Sequence, residues 1–367
     1  MANTTLKFGN GNWATKEDSA LAYSDQYDNF KPLPFDFSRA SNATAVNKAG
    51  LIETVSNGQP RIDFLGNTQG ALLLEPQRTN IIAYSEDFSN SYWAKLNTTV
   101  ISNASVSPDG TQNADKLNFT TSNGEIVKGM SFVSGQKYTM SFYAKTESGT
   151  LDFTYGNMDY GIISGTATTE WQRFEITQTL PTTTRFPKIQ TTEIGSLLLW
   201  GWQVEQGSYA TSYIPTYGAT STRLADQSII RNLDTNIIPN SGSWTAFFEI
   251  ELLGNESPQD KIQLSDDSNN PRVYLYASSA GVAGTGWSGG EVLAMNTNNK
   301  IVYRANTTQN ISFFENGVNE ATFSSTSNPL TFNRLNLYGS NGAFRVKKIL
   351  LYSTALTDSE CIVLTQV

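Results

Sequence analysis

The chain has no histidine among its 367 residues. That removes Ser-His-Asp and Cys-His catalysis and most zinc sites together, because each depends on imidazole as base or ligand. Any chemistry would have to run on carboxylates, Tyr, Lys or a hard cation. A single cysteine, Cys361, excludes an internal disulfide. It reads as a buried small apolar residue on the terminal turn, and stability must come from sheet packing or oligomerisation. Charge is scarce, at 16% of residues, and the net charge of −8 is spread without long runs. A sequence-independent grip on nucleic acid needs a basic surface, so no nucleic-acid partner is expected. No apolar run reaches about 18 residues, and no membrane insertion is expected. The opening Met-Ala-Asn-Thr-Thr-Leu-Lys lacks an apolar core and a cleavage site, so no signal peptide is expected. The Ala, Leu, Glu, Lys and Arg runs that build long helices are also missing.

What is present is Thr, Ser, Asn, Gly and aromatics, the composition of sheets joined by many turns. The length allows two or three domains, each with its own core. The expected fold is all-β: two β-sandwich (jelly-roll) domains in tandem behind an N-terminal attachment segment. Residues 1–83 read as an arm followed by short strands, because coil signals outweigh apolar periodicity. An arm that does not bury itself can order against a partner. Residues 84–217 read as one jelly roll, 218–242 as an ordered linker with a short strand, and 243–367 as a second sandwich.

Local signals carry these assignments. In 197–205, Leu198, Trp200, Trp202 and Val204 alternate onto one face, and Leu197, Leu199, Gln203 and Glu205 onto the other. Both tryptophans read as core. Ser107-Pro108-Asp109-Gly110-Thr111 is a turn in which Pro sets φ and Gly takes the left-handed position. Asn316-Gly317 predicts a type I′ hairpin. Thr357 and Glu360 have capping-box spacing, which predicts one short helical turn.

Several ordered phrases resemble bacteriophage tail and fibre proteins. They run from Phe37 to Glu53, Arg61 to Phe64, Leu72 to Asn80, and Gln203 to Thr216, the last reading Q-V-E-Q-G-S-Y-A-T-S-Y-I-P-T. The phrases Gly135 to Lys145 and Glu170 to Phe174, with the Trp-rich strand, resemble the carbohydrate-binding-module type of jelly roll. The final Ile349 to Glu360 and the Phe313 to Gly317 hairpin resemble laminin-G or concanavalin A-like lectin and glucanase domains. The jelly-roll resemblance implies a structural Ca²⁺ between an acidic residue near the first strand, for which Glu86 and Asp87 are the candidates, and an Asp in the last strand. There this chain has Trp200-Gly201-Trp202. No cofactor is therefore expected, with Ca²⁺ the one ion the resemblance leaves open.

The concanavalin A-like fold hosts lectins and hydrolases alike. A retaining glycosidase needs two carboxylates about 5–5.5 Å apart. Glu249 and Glu251 share a strand face and are the catalytic candidates. The alternative is a solvated face opposite Phe248 and Ile250. Tyr155, Tyr160 and Trp287 sit in glycine-rich sequence and are candidate sugar-stacking platforms. Loop packing or an intersubunit contact would explain them equally.

The resemblances imply a virion protein of fibre type, from tail or head, that is not an enzyme and adheres to host surface polysaccharide. Its other virion partners would attach through the N-terminal region. The resemblance to phage fibres implies a homotrimer. The alternatives are a virion-associated depolymerase or glucanase using Glu249 and Glu251, and a capsid or tail decoration protein without ligand.

Overall fold

A computed structural model describes residues 6–9, 15–16, 19–20, 22–24, 30–32, 35–157, 161–230, 233, 243–255, 261–265, 272–275, 280–283, 287–289, 294–307, 310–324 and 332–366. The fold is almost entirely β. It divides into two compact units. One comprises 1–48, 55–77 and 224–367, and the other 49–54 and 78–223.

The unit built on 78–223 is a sandwich of two five-stranded sheets. The first runs in the order Ala94–Leu96, Gly124–Ser131, Thr183–Thr191, Leu151–Asn157, Gly161–Ala167. The second runs Thr98–Ser105, Ala114–Phe119, Gly195–Gln206, Lys137–Lys145, Gln172–Thr179. All these pairings are antiparallel. Alternation sends Phe153, Tyr155 and Ile126 from one sheet, and Met140, Phe142 and Leu117 from the other, into a shared core. Trp202 stacks on Trp93 at 4.6 Å between centroids. Aromatic pairs of this kind add about 0.5–1.5 kcal/mol beyond area burial.

The strand Gly195–Gln206 departs from simple alternation. Leu197, Leu199, Trp202 and Val204 face the core, while Trp200 packs on Tyr143 and Tyr213 outside that cluster. The expected grouping of Trp200 with Trp202 is therefore corrected, although both are buried. The cause is a bulge. The pairing with Lys137–Lys145 shifts between Ser141 and Tyr143, and Gly201 takes φ +66°. One extra residue reverses the faces for the rest of a strand whose period is two.

The other unit assembles from pieces distant in sequence. In one of its sheets, Trp244–Asn255 lies between Asn298–Thr307 and Gly342–Tyr352. Leu6–Gly9 and Ala71–Leu74 both pair with Gly342–Tyr352. A second sheet runs Trp287–Gly289, Ala280–Ala283, Arg272–Leu275, Ile262–Ser265, Arg334–Tyr338, Gln227–Ile230, Phe35–Ser38. Phe248, Ile250 and Leu252 of the first sheet meet Leu264, Leu335 and Leu337 of the second. On the far face of the first sheet, Phe247, Val302, Phe314 and Leu350 cluster with Leu356 and Cys361. The helix Asp358–Thr365 supplies that cover, and its capping box is closed in both directions by Thr357 and Glu360. Asn316 and Gly317 both have positive φ, as a type I′ turn requires.

This division differs from the expected order of segments. Phe35–Ser38, Arg61–Asp63 and Ala71–Leu74, assigned from sequence to an attachment region, are built into the sheets of the unit that holds 224–367. The segment 218–242 is shared out: Ser221–Arg223 pairs with Arg78–Asn80, and Gln227–Ile230 joins the sheet of the other unit. The phrases that mark the N-terminal resemblance have a physical role here. Arg39 Nη1 donates to Asp226 at 3.0 Å, Arg61 Nη1 donates to Glu75 at 2.6 Å, and Arg61 also donates to Asp226. Asp63 accepts from Arg345 at 2.9 Å. Burying these charges is tolerable only because each is paired and hydrogen-bonded.

Candidate functional site

The site lies in the unit built on 78–223, and the phrase Gln203 to Thr216 constructs it. After Gln206 the chain turns back along the outside of its own sheet. The Gln203 side chain accepts from the Ile214 amide at 2.7 Å. Glu205, fully buried, accepts from the Thr211 amide at 2.8 Å and the Thr211 hydroxyl at 2.7 Å. Asn80 donates to the carbonyls of Trp202 and Ile214 and accepts from the amides of Ile82 and Val204. A buried returning segment needs every such group, since its backbone has no strand partner.

This latch places Tyr213 and Tyr217 beside Tyr84–Asp87. Tyr213 packs on Trp200 with the rings tilted by 52° and their centroids 4.5 Å apart, and its hydroxyl meets Ser85 Oγ and Glu86 Oε1, each at 2.7 Å. The Thr216 amide donates to Ser85 Oγ, and the Ser85 amide to Thr216 Oγ1. Tyr84 and Tyr217 form a β-bridge.

The third wall comes from the loop after Thr98–Ser105. Asp109 accepts from the Ser107 hydroxyl and from the amide and hydroxyl of Thr111, at 2.6–2.7 Å. Gly110, at φ +85°, closes the turn. Asn113 Nδ2 then donates to Glu86 Oε2 and Asp109 Oδ2, both at 3.1 Å. Asp115 accepts from the amides of Phe88 and Asn103.

Together these enclose a cleft of about 500 Å³ lined by Tyr84, Glu86, Asp87, Asn113, Asp115 and Tyr217, among others. Tyr217 is 78% exposed, and its hydroxyl donates to Glu86 at 3.3 Å. Burial pushes the Glu86 and Asp115 carboxyls up from their ordinary range. Burial and the adjacent Glu86 push the Tyr217 phenol up to about 12. For Asp109, burial works upward, but hydrogen bonds from Ser107, Thr111 and Asn113 outweigh it and hold the carboxyl low. A partly open aromatic ring beside convergent acceptors is suited to a polyhydroxylic ligand.

The residues do not fit Ca²⁺. Both oxygens of Glu86 already accept hydrogen bonds, and those of Asp87 are bonded to Ser89 and Asn90. Among the described residues no group of three acidic, His or Cys side chains converges as a metal site would require.

The other candidates fall elsewhere. Tyr155 is a core residue, 5% exposed, packed on Phe142 and Phe174, which removes it as a stacking platform. Its glycine neighbours had suggested a loop. Instead, Gly165 on the adjoining strand leaves room for rings: a Cβ there would lie 3.0–3.1 Å from Phe153, Phe174 and Tyr155. Tyr160 lies outside the described residues. Trp287 begins the strand Trp287–Gly289, and its side chain lies outside the description. Glu249 and Glu251 are half-buried, and Glu251 is 3.4 Å from Arg345 and 3.2 Å from Lys347 as their ion-pair partner. Sequence reasoning singled out Glu86 and Asp87 only as metal ligands and missed Tyr84, Asn113, Asp115 and Tyr217. The available signal was the tyrosine repeat of the closing phrase.

No protein-family model matches the chain, and no curated protein matches it. Solved structures similar to it include the CBM40 of a Ruminococcus gnavus sialidase bound to α2,3-sialyllactose, 14% identical, covering 35% of this chain and 85% of that one at a TM-score of 0.30. Domain 4 of AbnA, a GH43 arabinanase from Geobacillus stearothermophilus in complex with arabinotriose, is 14% identical, covering 44% and 83% at 0.32. A botulinum neurotoxin type C structure, concerned with interaction with two ganglioside molecules, is 12% identical, covering 38% and 39% at 0.32. Superpositions this loose carry no assignment of residues or ligand.

Proposed function

We propose that this protein binds carbohydrate through the Tyr84–Tyr217 cleft and serves as an adhesive, fibre-type component of a bacteriophage particle. The observation that carries the binding reading is the exposed Tyr217 ring beside Glu86 and Asn113. An exposed aromatic held by a buried latch is rigid before any ligand arrives, which lowers the entropy cost of stacking a sugar on it. The virion role is supported by the phrases at 37–53, 61–64, 72–80 and 203–216. Several copies on one particle would multiply weak contacts into firm attachment. Adhesion rather than turnover is favoured because Glu251, one of the two catalytic candidates, is engaged with Arg345 and Lys347.

The test is a glycan array with the full chain, followed by titration of any hit against Tyr217→Ala. Loss of binding by about tenfold or more, without a change in melting temperature, supports the cleft as the site. Unchanged binding in Tyr217→Ala refutes it. Native mass measures the assembly reading separately: a mass near that of three chains supports the fibre, and a clean monomer overturns it.

A further inference from the structure

The lining of the cleft is one-sided in charge. Glu86, Asp87 and Asp115 line it, and neither Lys nor Arg does. Asp109 adds a fourth carboxylate through Asn113. Lys95 lies outside the lining; its ammonium donates to the carbonyl oxygens of Phe88, Ser89 and Asn90 at 2.9–3.1 Å and attracts Asp87 and Asp115 from there. The neutral wall includes the hydroxyls of Ser102 and Tyr84 and the amide of Asn103. Asn113 turns its amide nitrogen to two carboxylates, which fixes the orientation of the group and leaves Oδ1 a buried acceptor with no hydrogen-bond partner. A buried acceptor without a partner costs free energy that a ligand N–H or O–H would recover. The lining therefore offers a ligand negative potential, which positive charge would meet.

We infer that the cleft takes a saccharide bearing a protonated amine, a 2-amino-2-deoxy sugar unit, and turns away sugars that carry carboxylates. This rests on the reading of the cleft as a sugar site. The ammonium brings three donors and one charge into the field of Glu86, Asp87 and Asp115, with the ring on Tyr217. A uronic or sialic acid would instead place a carboxylate among carboxylates, with no cation lining the cleft to meet it.

Three oligosaccharides of equal length test this against the full chain by calorimetry: glucosamine, N-acetylglucosamine and galacturonate oligomers. The buffer is held near about pH 6, where an amine of this class is protonated. The expected order is amine over acetamide by roughly tenfold, the scale of one charge interaction in a partly solvated site, with the galacturonate oligomer weakest. Raising salt narrows the gap. Glu86→Gln and Asp87→Asn each shrink it several-fold. Tyr217→Ala should weaken the amine and acetamide oligomers alike. If the preference survives Glu86→Gln combined with Asp87→Asn, the attraction belongs to the net charge of the chain and the inference is overturned. Equal affinity for amine and acetamide, or tight binding of the galacturonate oligomer, also overturns it while the sugar-binding reading stands. If none of the three binds and a wide glycan array is silent as well, both fall.

Discussion

Glu205→Ala is the sharpest test of how the closing phrase works. Glu205 has no exposed surface and accepts from the Thr211 amide, the Thr211 hydroxyl and Gln203 Nε2 at 2.7–2.8 Å. Its second oxygen lies 3.5 Å from Arg78 Nε. Truncation strands the Thr211 amide, at about 1–3 kcal/mol, and deletes the counter-charge of a buried guanidinium, at about 3–5 kcal/mol. These contributions share groups and do not add, so the expected loss is about 3–5 kcal/mol. At 1.4 kcal/mol per factor of ten, that is at least about two decades in the unfolding equilibrium of the 78–223 unit. Glu205→Gln retains one oxygen acceptor and should lose roughly half as much. Urea unfolding of the full chain, with peptide-resolved hydrogen exchange over 203–217, separates this unit from the other. A loss under about 1 kcal/mol with undiminished protection at Thr211 would refute the latch.

Four further outcomes follow from the same structure. Asp226→Ala removes the acceptor shared by Arg39, Arg61 and the Glu75 amide, and should cost the other unit about 3–5 kcal/mol in urea unfolding. Gly201→Ala puts a side chain at φ +66° with its Cβ 3.3 Å from the Tyr143 ring, and should cost about 1–2 kcal/mol in a thermal melt. Cys361 is fully buried and its thiol is pushed up to about 11 by burial, so a thiol reagent should label it in denaturant and leave the native chain unlabelled. Glu86 has its carboxyl raised above the ordinary 4.5 by burial; the folded state then holds the proton more tightly, and its stabilising share is present below about pH 4.5 and lost as pH rises through the native value. Melts of wild type and Glu86→Gln should therefore diverge in the variant's favour across that window and run parallel above it.

The sequence by itself determined the all-β character, the strand positions and the local turns. Asn316-Gly317, Thr357 with Glu360, and Pro108-Asp109-Gly110 act within a few residues, where backbone sterics and short hydrogen bonds suffice. Alternation is likewise present in Leu151, Phe153 and Tyr155, and it outweighs the nearby glycines that make Tyr155 a candidate stacking platform. Only the tertiary structure decided the rest. The bulge at Gly201 reversed Trp200 and Trp202, since register is set by the neighbouring strand Lys137–Lys145. Leu6–Gly9 and Ala71–Leu74 found the same partner hundreds of residues away. The cleft needs Tyr84 to Asp87, Asn113, Asp115 and Tyr217 at once. Of those residues only Glu86 and Asp87 stand out in their own stretch, and then as metal ligands. What makes them a site is the hydrogen-bonded return of the chain over its own sheet, a long-range closure that no local pattern encodes.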